Sequence, residues 1–263
     1  MTGTYDFGLV SLSFLLAVFA SFTALNVSDR LDVIGNRPLG PWIVFGGCIM
    51  GLGIWSMHFV AMLAFHLPIA VGYNIPATIG SLLVAMIASA IGFMPLCTYE
   101  LRWSRLIGGA VAMGLGVAGM HYLGMQAMDV CPPIQYSVWL VGLSIVIAVL
   151  ASAGALVLAF GLRGQSSHRR MRQASSAVVM GIAVCGMHYC GMAAAHFDRG
   201  SYSIATLSTL PIPWLAGIVV TFSLVIFAAS IAITVLDASS DARAREIADA
   251  ILRERLGKHA SAR

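Results

Sequence analysis

Charged residues are scarce in this sequence, where they make up 10% of 263 residues against 59% hydrophobic residues. An ordinary soluble domain, with about a quarter of its residues charged, is therefore excluded. The hydrophobic residues form runs of about 20, the length that a helix needs to cross a bilayer. We predict an all-α integral membrane protein with seven spans, at residues 7–26, 41–65, 75–98, 106–128, 137–161, 173–196 and 213–236.

Basic residues are almost absent from one side of the predicted membrane. Fourteen of the 15 Lys and Arg residues follow spans one, three, five or seven, and only Arg199 lies on the other side. Because cytoplasmic loops are enriched in Lys and Arg, we predict that the N-terminus lies outside the cytoplasm and that the C-terminus is cytoplasmic. The same bias accounts for the net charge of +4, which therefore does not indicate a nucleic-acid partner.

The cysteines do not have the pattern of a disulfide framework. Four of the five, Cys48, Cys97, Cys185 and Cys190, lie in predicted spans, and Cys131 lies in an outer loop without an evident partner. They also do not form the group of closely spaced thiols that is typical of a structural zinc site.

One stretch of 17 residues occurs three times: MGLGIWSMHFVAMLAFH from Met50, MGLGVAGMHYLGMQAMD from Met113 and MGIAVCGMHYCGMAAAH from Met180. The copies end spans two, four and six, and the odd spans resemble one another as well. We predict three parallel odd–even helical hairpins, related by an axis along the membrane normal, plus a seventh helix. Because glycine lets membrane helices approach closely, the glycine-rich even spans are expected around the axis, with the odd spans outside.

Each copy places a histidine at the same depth in the membrane, at His58, His121 and His188. A polar side chain inside a span is costly, so a functional role is the default hypothesis. On a helix, each histidine shares a face with a Met four residues later, and a second Met precedes it directly. The candidate metal ligands are the three histidines with Met57, Met62, Met120, Met125, Met187 and Met192.

The ligand types favour copper, especially Cu(I), because the candidate ligands are imidazoles and thioethers, without a carboxylate cage or a thiolate cluster. Zinc prefers a closed set of thiolate, imidazole and carboxylate ligands, and calcium and magnesium need more oxygen. The residue after each histidine is aromatic: Phe59, Tyr122 or Tyr189. We expect these rings to lie next to the site, where they pack or, for the two tyrosines, hydrogen-bond a ligand.

A second polar set lies eight residues after the histidines, at the predicted outer mouth. It consists of His66, Asp129 and His196. Two imidazoles and a carboxylate are suited to a second metal site or to an entry port for the ion. The alternative is that they are polar residues at solvated helix ends.

The three motif copies, the seven spans and their orientation together resemble the MHYT family of integral membrane sensor domains, which is named for a Met-His-Tyr-Thr motif. The resemblance covers residues 6–236. It maps the motif onto Met57-His58-Phe59, Met120-His121-Tyr122 and Met187-His188-Tyr189.

The sequence departs from the family motif at two positions. The threonine is replaced in every copy, by Val60, Leu123 and Cys190, and the first copy has Phe59 in place of tyrosine. The resemblance implies copper binding through the motif Met, His and Tyr side chains, and a role in sensing O2, CO or NO.

Family members often carry a cytoplasmic diguanylate cyclase, phosphodiesterase or histidine kinase, so the resemblance implies a cytoplasmic output partner. After a membrane domain at residues 1–236, residues 237–263 mix charges with apolar residues at helical spacing. They are predicted to form a cytoplasmic amphipathic connector helix. The chain is therefore expected to be a stand-alone member or to end shortly after the connector.

Three other functions could use the same side chains: a membrane copper oxidase or monooxygenase, a b-type haem protein, and a copper transporter. No general base or nucleophile supports the enzyme. The leading hypothesis is therefore a copper-binding sensor of a diatomic gas or of redox state in a bacterial inner membrane, with a periplasmic N-terminus and a cytoplasmic C-terminus. A sensor requires a ligand that favours one packing of the helices over another.

Overall fold

The computed structural model describes residues 3–33, 40–97, 102–161, 169–204 and 209–229, together with six further residues between 231 and 243. Seven of its helices are long and apolar enough to cross a membrane, which confirms the predicted all-α membrane fold. They are α1 (Phe7–Val33), α2 (Gly40–Leu63), α3 (Ile75–Phe93), α4 (Trp103–Gln126), α5 (Val138–Gly161), α6 (Arg169–Ala194) and α7 (Ile212–Ala229). The predicted connector at 237–263 lies outside the described residues, apart from Ser239 and Arg243.

Helices α1 to α6 form a closed ring. Each packs against its two neighbours in the chain, and α6 returns to pack against α1. The three hairpins α1–α2, α3–α4 and α5–α6 are thus related by a pseudo-threefold axis through the ring. Helix α7 lies outside it, with Phe227 against Phe19 of α1 and Phe222 against Trp55 of α2, at ring-centroid distances of 4.9 and 5.7 Å.

The axis is lined by all six helices, which differs from the expectation that only the even helices reach it. The even helices do contact one another. However, Leu25 of α1, Phe93 of α3 and Leu156 of α5 line the same axial cavity. The reason is that six helices closing one ring each turn a stripe of side chains inward.

Each even helix lies close to the odd helix that follows it in the ring, and an equivalent glycine lies at each of these close approaches. A Cβ atom on Gly51 would lie 2.5 Å from the backbone of Met86 in α3, and one on Gly114 would lie 2.6 Å from that of Val149 in α5. A side chain at these glycines would push the two helices apart. The glycine content of the even spans is therefore used between neighbouring helices of the ring.

In the part of the chain that the structure describes, eight short strands lie at one end of the bundle, which we call the strand end. All four pairs are antiparallel. They are β1 (Thr4–Tyr5) with β2 (Phe65–His66), β3 (Gly72–Asn74) with β8 (Thr209–Pro211), β4 (Val130–Cys131) with β7 (Tyr202–Ser203), and β5 (Gln135–Tyr136) with β6 (Ala195–His196).

One backbone hydrogen bond ties each hairpin together at the strand end, and the three bonds are equivalent. In each, the amide of the residue that precedes an odd helix donates to the carbonyl of the alanine six residues after a motif histidine. The pairs are Asp6 to Ala64 at 2.9 Å, Asn74 to Ala127 at 2.7 Å and Ser137 to Ala194 at 2.9 Å. These bonds fix the three motifs at one depth in the ring.

Candidate metal centre

His58 of α2, His121 of α4 and His188 of α6 meet at the axis, and we call them the histidine cluster. All three side chains are fully buried. Nδ1 of His58 lies 3.1 Å from Nδ1 of His188 and 3.3 Å from Nδ1 of His121. One potential ligand nitrogen from each ring can be chosen so that all three lie within 4.8 Å of one another. Residues 130 positions apart in the chain therefore form one polar centre.

The facing nitrogens cannot all be satisfied by hydrogen bonds within the cluster. A neutral imidazole carries one N–H donor and one acceptor nitrogen. With the protons on Nε2, the Nδ1 lone pairs of His121 and His188 both face Nδ1 of His58, as nitrogen ligands face one another around a metal ion. An ion between two nitrogens separated by 3.1 or 3.3 Å, as Nδ1 of His58 is from each of the other two, would lie about 2 Å from them, the usual metal–imidazole distance. The three side chains thus fit a single ion.

The other nitrogen of each ring, Nε2, is buried without a hydrogen-bond partner. Glycine makes room for two of these rings. A Cβ atom on Gly124 would lie 2.4 Å from Nε2 of His58, and one on Gly191 would lie 2.3 Å from Nε2 of His121. The rings therefore pack edge-first against the backbone of the next even helix, which holds their Nδ1 atoms toward the axis.

Each histidine begins a column of aromatic rings that leads away from the axis. The histidine packs edge-on against the next residue of its motif, which packs edge-on against a tyrosine just before an odd helix. We call these the cap tyrosines. Their ring-centroid distances to the motif aromatics are 5.8 Å for Tyr73 and Phe59, 5.4 Å for Tyr136 and Tyr122, and 6.0 Å for Tyr5 and Tyr189.

The cap tyrosines are neutral phenols held in place by packing. Burial raises the pKa of Tyr136 to about 12 and also raises the pKa of Tyr73. The pKa of Tyr5 is raised by burial and then by the neighbouring Tyr189. No phenolate is therefore available at the strand end near neutral pH.

The motif tyrosines each reach a serine on the neighbouring odd helix. The hydroxyl of Tyr122 lies 2.7 Å from Oγ of Ser144, and that of Tyr189 lies 3.3 Å from Oγ of Ser13. Both hydroxyls thus have a hydrogen-bond partner inside the bundle, and a role of the two tyrosines in binding a ligand stays a prediction.

The first copy, which has Phe59 and no hydroxyl, makes the same contact in another way. The indole Nε1 of Trp55 donates to Oγ of Ser81 at 3.1 Å, and its ring lies 4.5 Å from that of Phe59. The equivalent serine is thus bonded in all three copies. The replacement of tyrosine by phenylalanine is therefore compensated by Trp55, four residues before it.

The six predicted methionine ligands are all buried. Met62, Met125 and Met192 follow the histidines by one helical turn toward the strand end, and Met57, Met120 and Met187 directly precede them in the sequence. Of the six, Met187 lines an axial cavity. The role of the six methionines as ligands stays a prediction.

The outer set of His66, Asp129 and His196 is not gathered into a comparable group. Among the described residues, only the histidine cluster brings three potential metal-binding side chains within 4.8 Å. His66 pairs with Thr4 in β1–β2, and His196 pairs with Gln135 in β5–β6. Each residue of the set belongs to its own hairpin at the strand end, which separates them.

Sequence reasoning missed the cap tyrosines and the serines, although the repeat contained a signal for them. A Tyr is followed by a Ser eight residues later at the start of each of the three odd helices of the ring, α1, α3 and α5. The pairs are Tyr5 and Ser13, Tyr73 and Ser81, and Tyr136 and Ser144. A spacing kept three times in odd spans could have been aligned as the histidine motif was.

The fold and the site define a class of protein: a multi-pass membrane domain made of three repeated hairpins with a polar centre on their common axis. The family described as "Bacterial signalling protein N terminal repeat", or MHYT, matches residues 51–109 and 114–172. The chain belongs to the MHYT family, as its motifs indicated. It is therefore a membrane-embedded domain of the kind found in bacterial signalling proteins of the inner membrane.

Curated relatives share the sequence over most of this chain. The bifunctional diguanylate cyclase/cyclic di-GMP phosphodiesterase MucR of Pseudomonas aeruginosa is 43% identical over 96% of the chain. The cyclic di-GMP phosphodiesterase NbdA of the same species is 38% identical over 82%, and the signaling protein YkoW of Bacillus subtilis is 35% identical over 74%. The chain spans 37%, 28% and 25% of the lengths of these three relatives. No solved structure matches it.

Proposed function

We propose that this protein is the copper-binding sensor domain of a signalling system, with the ion held by His58, His121 and His188. The observation that supports this proposal is the meeting of three buried imidazoles, with Nδ1 of His58 3.1 and 3.3 Å from the Nδ1 atoms of the other two. Neutral imidazoles with their protons on Nε2 would leave Nδ1 lone pairs facing one another in an apolar membrane interior, which costs free energy unless a cation or protons bind them. An ion would satisfy all three lone pairs at once.

The surroundings of the cluster favour copper over other metals. Among the described residues, the group of potential ligands consists of imidazoles, without a carboxylate or a thiol. Buried thioethers of Met62, Met125 and Met192 are the next donors along the same helix faces. Imidazole and thioether are the ligands that suit copper, whereas zinc would favour thiolate or carboxylate and calcium would need several oxygens.

The arrangement also favours a single ion over a haem. A macrocycle has to lie between or beside its axial ligands. Here the three imidazole rings lie with centroids 5.0 to 5.1 Å apart around one point, so that the third ring occupies the space that a macrocycle would need.

The signal that we propose is a diatomic gas or a change in the redox state of copper. Either would change the charge or the coordination of the ion, and so the preferred separation of α2, α4 and α6. Trp55 offers a route outward, because it contacts Phe59 beside the cluster and Phe222 of α7. The α7 helix precedes the predicted connector in the chain. We therefore propose that a shift of α7 carries the signal to the cytoplasmic side of the membrane.

We further propose that the strand end faces the periplasm and the opposite end the cytoplasm. The positive-inside bias supports this orientation, because Arg102, Arg105, Arg170 and Arg172 all lie at the opposite end. The names of MucR and NbdA include cyclic di-GMP synthesis or hydrolysis. We propose a cytoplasmic output of that chemistry, either on the same polypeptide or on a partner protein.

The test is elemental analysis of the purified protein against two sets of variants. Wild type should contain copper, and a His58→Ala/His121→Ala/His188→Ala variant should lose it. The matched control is His66→Ala/His196→Ala, which removes two exposed imidazoles at the strand end and should keep the copper. Equal copper in all three proteins would refute the site, and loss in the control alone would assign the metal to the outer set.

The gas is tested on the copper-loaded protein with CO as the probe. An infrared spectrum of the reduced protein under CO should contain a carbonyl band that the triple histidine variant lacks. Repeated cycles should consume no CO or O2, because a sensor binds its ligand reversibly. Sustained oxygen consumption would instead support the copper oxidase hypothesis.

A further inference from the structure

A second group of soft ligands lies deeper in the bundle, at the first residue of each motif copy. Met50, Met113 and Met180 are equivalent residues of α2, α4 and α6, and their exposed fractions are 2%, 6% and 6%. All three line a cavity on the axis, together with residues from the other three helices of the ring. They also all line a second cavity, which lies next to the first in the direction of the histidine cluster. Three equivalent methionines, one from each even helix, thus line the same stretch of the pseudo-threefold axis.

This part of the axis is separate from the histidine cluster. Met50 precedes His58 by eight residues, which corresponds to about 12 Å along a helix. Between the two levels lie Ile54, Val117 and Val184, which are equivalent residues and line the second cavity. An ion at one level could therefore not share its ligands with an ion at the other.

The cavity walls leave the thioethers as the main donors. The other residues around the first cavity are Ala, Gly, Leu and Phe, and Ser152 is the polar side chain that lines the second. An apolar cavity of this kind stays dry, because a water molecule needs two to four polar partners. Hard cations that require oxygen ligands are excluded from it on the same ground.

We propose that Met50, Met113 and Met180 form a second metal site, a thioether site for a soft monovalent cation such as Cu(I) or Ag(I). Thioethers select soft ions, of which Cu(I) is the biological example. Because these ligands are neutral and no carboxylate lines the cavity, a divalent ion would carry more uncompensated charge in an apolar interior than a monovalent one. The inference goes beyond the proposed sensor and does not depend on a metal at the histidine cluster.

The experiment uses Ag(I), a soft monovalent ion without redox chemistry under the assay conditions, and compares three proteins. Met50→Leu/Met113→Leu/Met180→Leu should bind one Ag(I) fewer than wild type. Leucine is close to methionine in volume, which preserves the core. The control Met94→Leu/Met171→Leu removes two exposed methionines and should match wild type. The cysteines contribute equally to every protein, so only the difference in stoichiometry counts.

A spectroscopic measurement on wild type covers the case in which the triple leucine variant does not fold. With 13C-labelled methionine methyl groups, Ag(I) should shift three buried resonances together, at one equivalent beyond the thiols. Shifts confined to exposed methionines, or equal Ag(I) binding by the triple variant, would overturn the proposal. The triple histidine variant should retain these three shifts, so failure of the copper sensor and failure of this site are distinguishable.

Discussion

At the scale of single residues, the histidine cluster depends on glycines, which have no side chain, as well as on the three histidines. Gly124 and Gly191 leave the space into which His58 and His121 turn their Nε2 edges. The equivalent residue of the first copy is Ala61, so the three copies are not identical around the axis. The directions of the imidazoles are therefore set by the neighbouring helix as well as by their own.

Gly191→Ala should weaken metal binding, because the new Cβ would lie 2.3 Å from Nε2 of His121 and that buried ring must shift. Disturbing the support of a metal ligand costs about 10- to 100-fold in affinity. Gly186→Ala on the same helix is the control, since a Cβ there meets nothing within 4 Å. Copper affinity measured by competition with a chelator checks the prediction, and equal affinities for the two variants would contradict it.

The two proposed sites should respond differently to pH. Imidazole must be unprotonated to bind a metal, so copper at the histidine cluster competes with protons and its affinity should fall as the pH is lowered. Thioethers do not titrate, so Ag(I) binding that depends on Met50, Met113 and Met180 should stay constant. Titrations of the two ions over the same pH series, taken down to the lowest pH at which the protein stays folded, check both predictions. A parallel fall for the two ions would place them at one site.

At the scale of elements, each even helix makes a buried polar contact to an equivalent serine. The serine lies on the odd helix that follows in the ring, so that α6 contacts α1. Copies two and three use a tyrosine hydroxyl, and the first uses the indole of Trp55. The same indole contacts Phe222 of α7. The break in the repeat thus coincides with the position at which the seventh helix packs on the ring.

A double-mutant cycle at the α2–α3 contact tests this compensation. Trp55→Ala should destabilise the protein by about 3 to 5 kcal/mol through lost packing and the lost hydrogen bond. Phe59→Tyr should cost about 1 to 3 kcal/mol, because Ser81 is already bonded and the added hydroxyl has no free partner. The double variant should be more stable than the sum predicts by about 1 kcal/mol or more, since the hydroxyl can then bond Ser81.

The measurement is the free energy of unfolding in detergent for wild type, the two single variants and the double variant. Strict additivity would mean that the tyrosine hydroxyl and the indole do not substitute for each other. A matching double variant at the second copy, Ala118→Trp/Tyr122→Phe, provides the converse control, because it introduces the arrangement of the first copy.

At the scale of the whole molecule, three antiparallel hairpins give the ring two different ends. One carries the strands and the three backbone hydrogen bonds that align the motifs, and the other carries the arginines at the starts of α4 and α6. The histidine cluster lies in the half next to the strand end, because the even helices end five or six residues after their histidines. A ligand arriving from the side of the strands would have the shorter path.

The orientation can be checked with single cysteines placed at the two ends. Thr4→Cys, an exposed residue of β1, should react in intact cells with a maleimide that crosses the outer membrane but not the inner membrane. Ser104→Cys, exposed at the opposite end, should react only after the inner membrane is opened. Both are made in a variant without the five native cysteines. The reverse pattern would place the strand end, and with it the histidine cluster, on the cytoplasmic side.

The sequence alone determined the class, the number of spans and the equivalence of His58, His121 and His188. These properties are local or periodic: a bilayer sets the length of each apolar run, and a repeat places like residues at like depths. They could therefore be derived without knowing which helix lies beside which.

Only the tertiary structure decided which side chains meet. It closed six helices into one ring, brought three buried imidazoles together, gave the place of a tyrosine hydroxyl to Trp55, and kept His66, Asp129 and His196 apart. Contacts of this kind join residues 26 to 130 positions apart, and they depend on the lateral order and rotation of helices. Hydrophobic periodicity does not encode these, because a helix that faces lipid on one side and protein on the other is apolar all round.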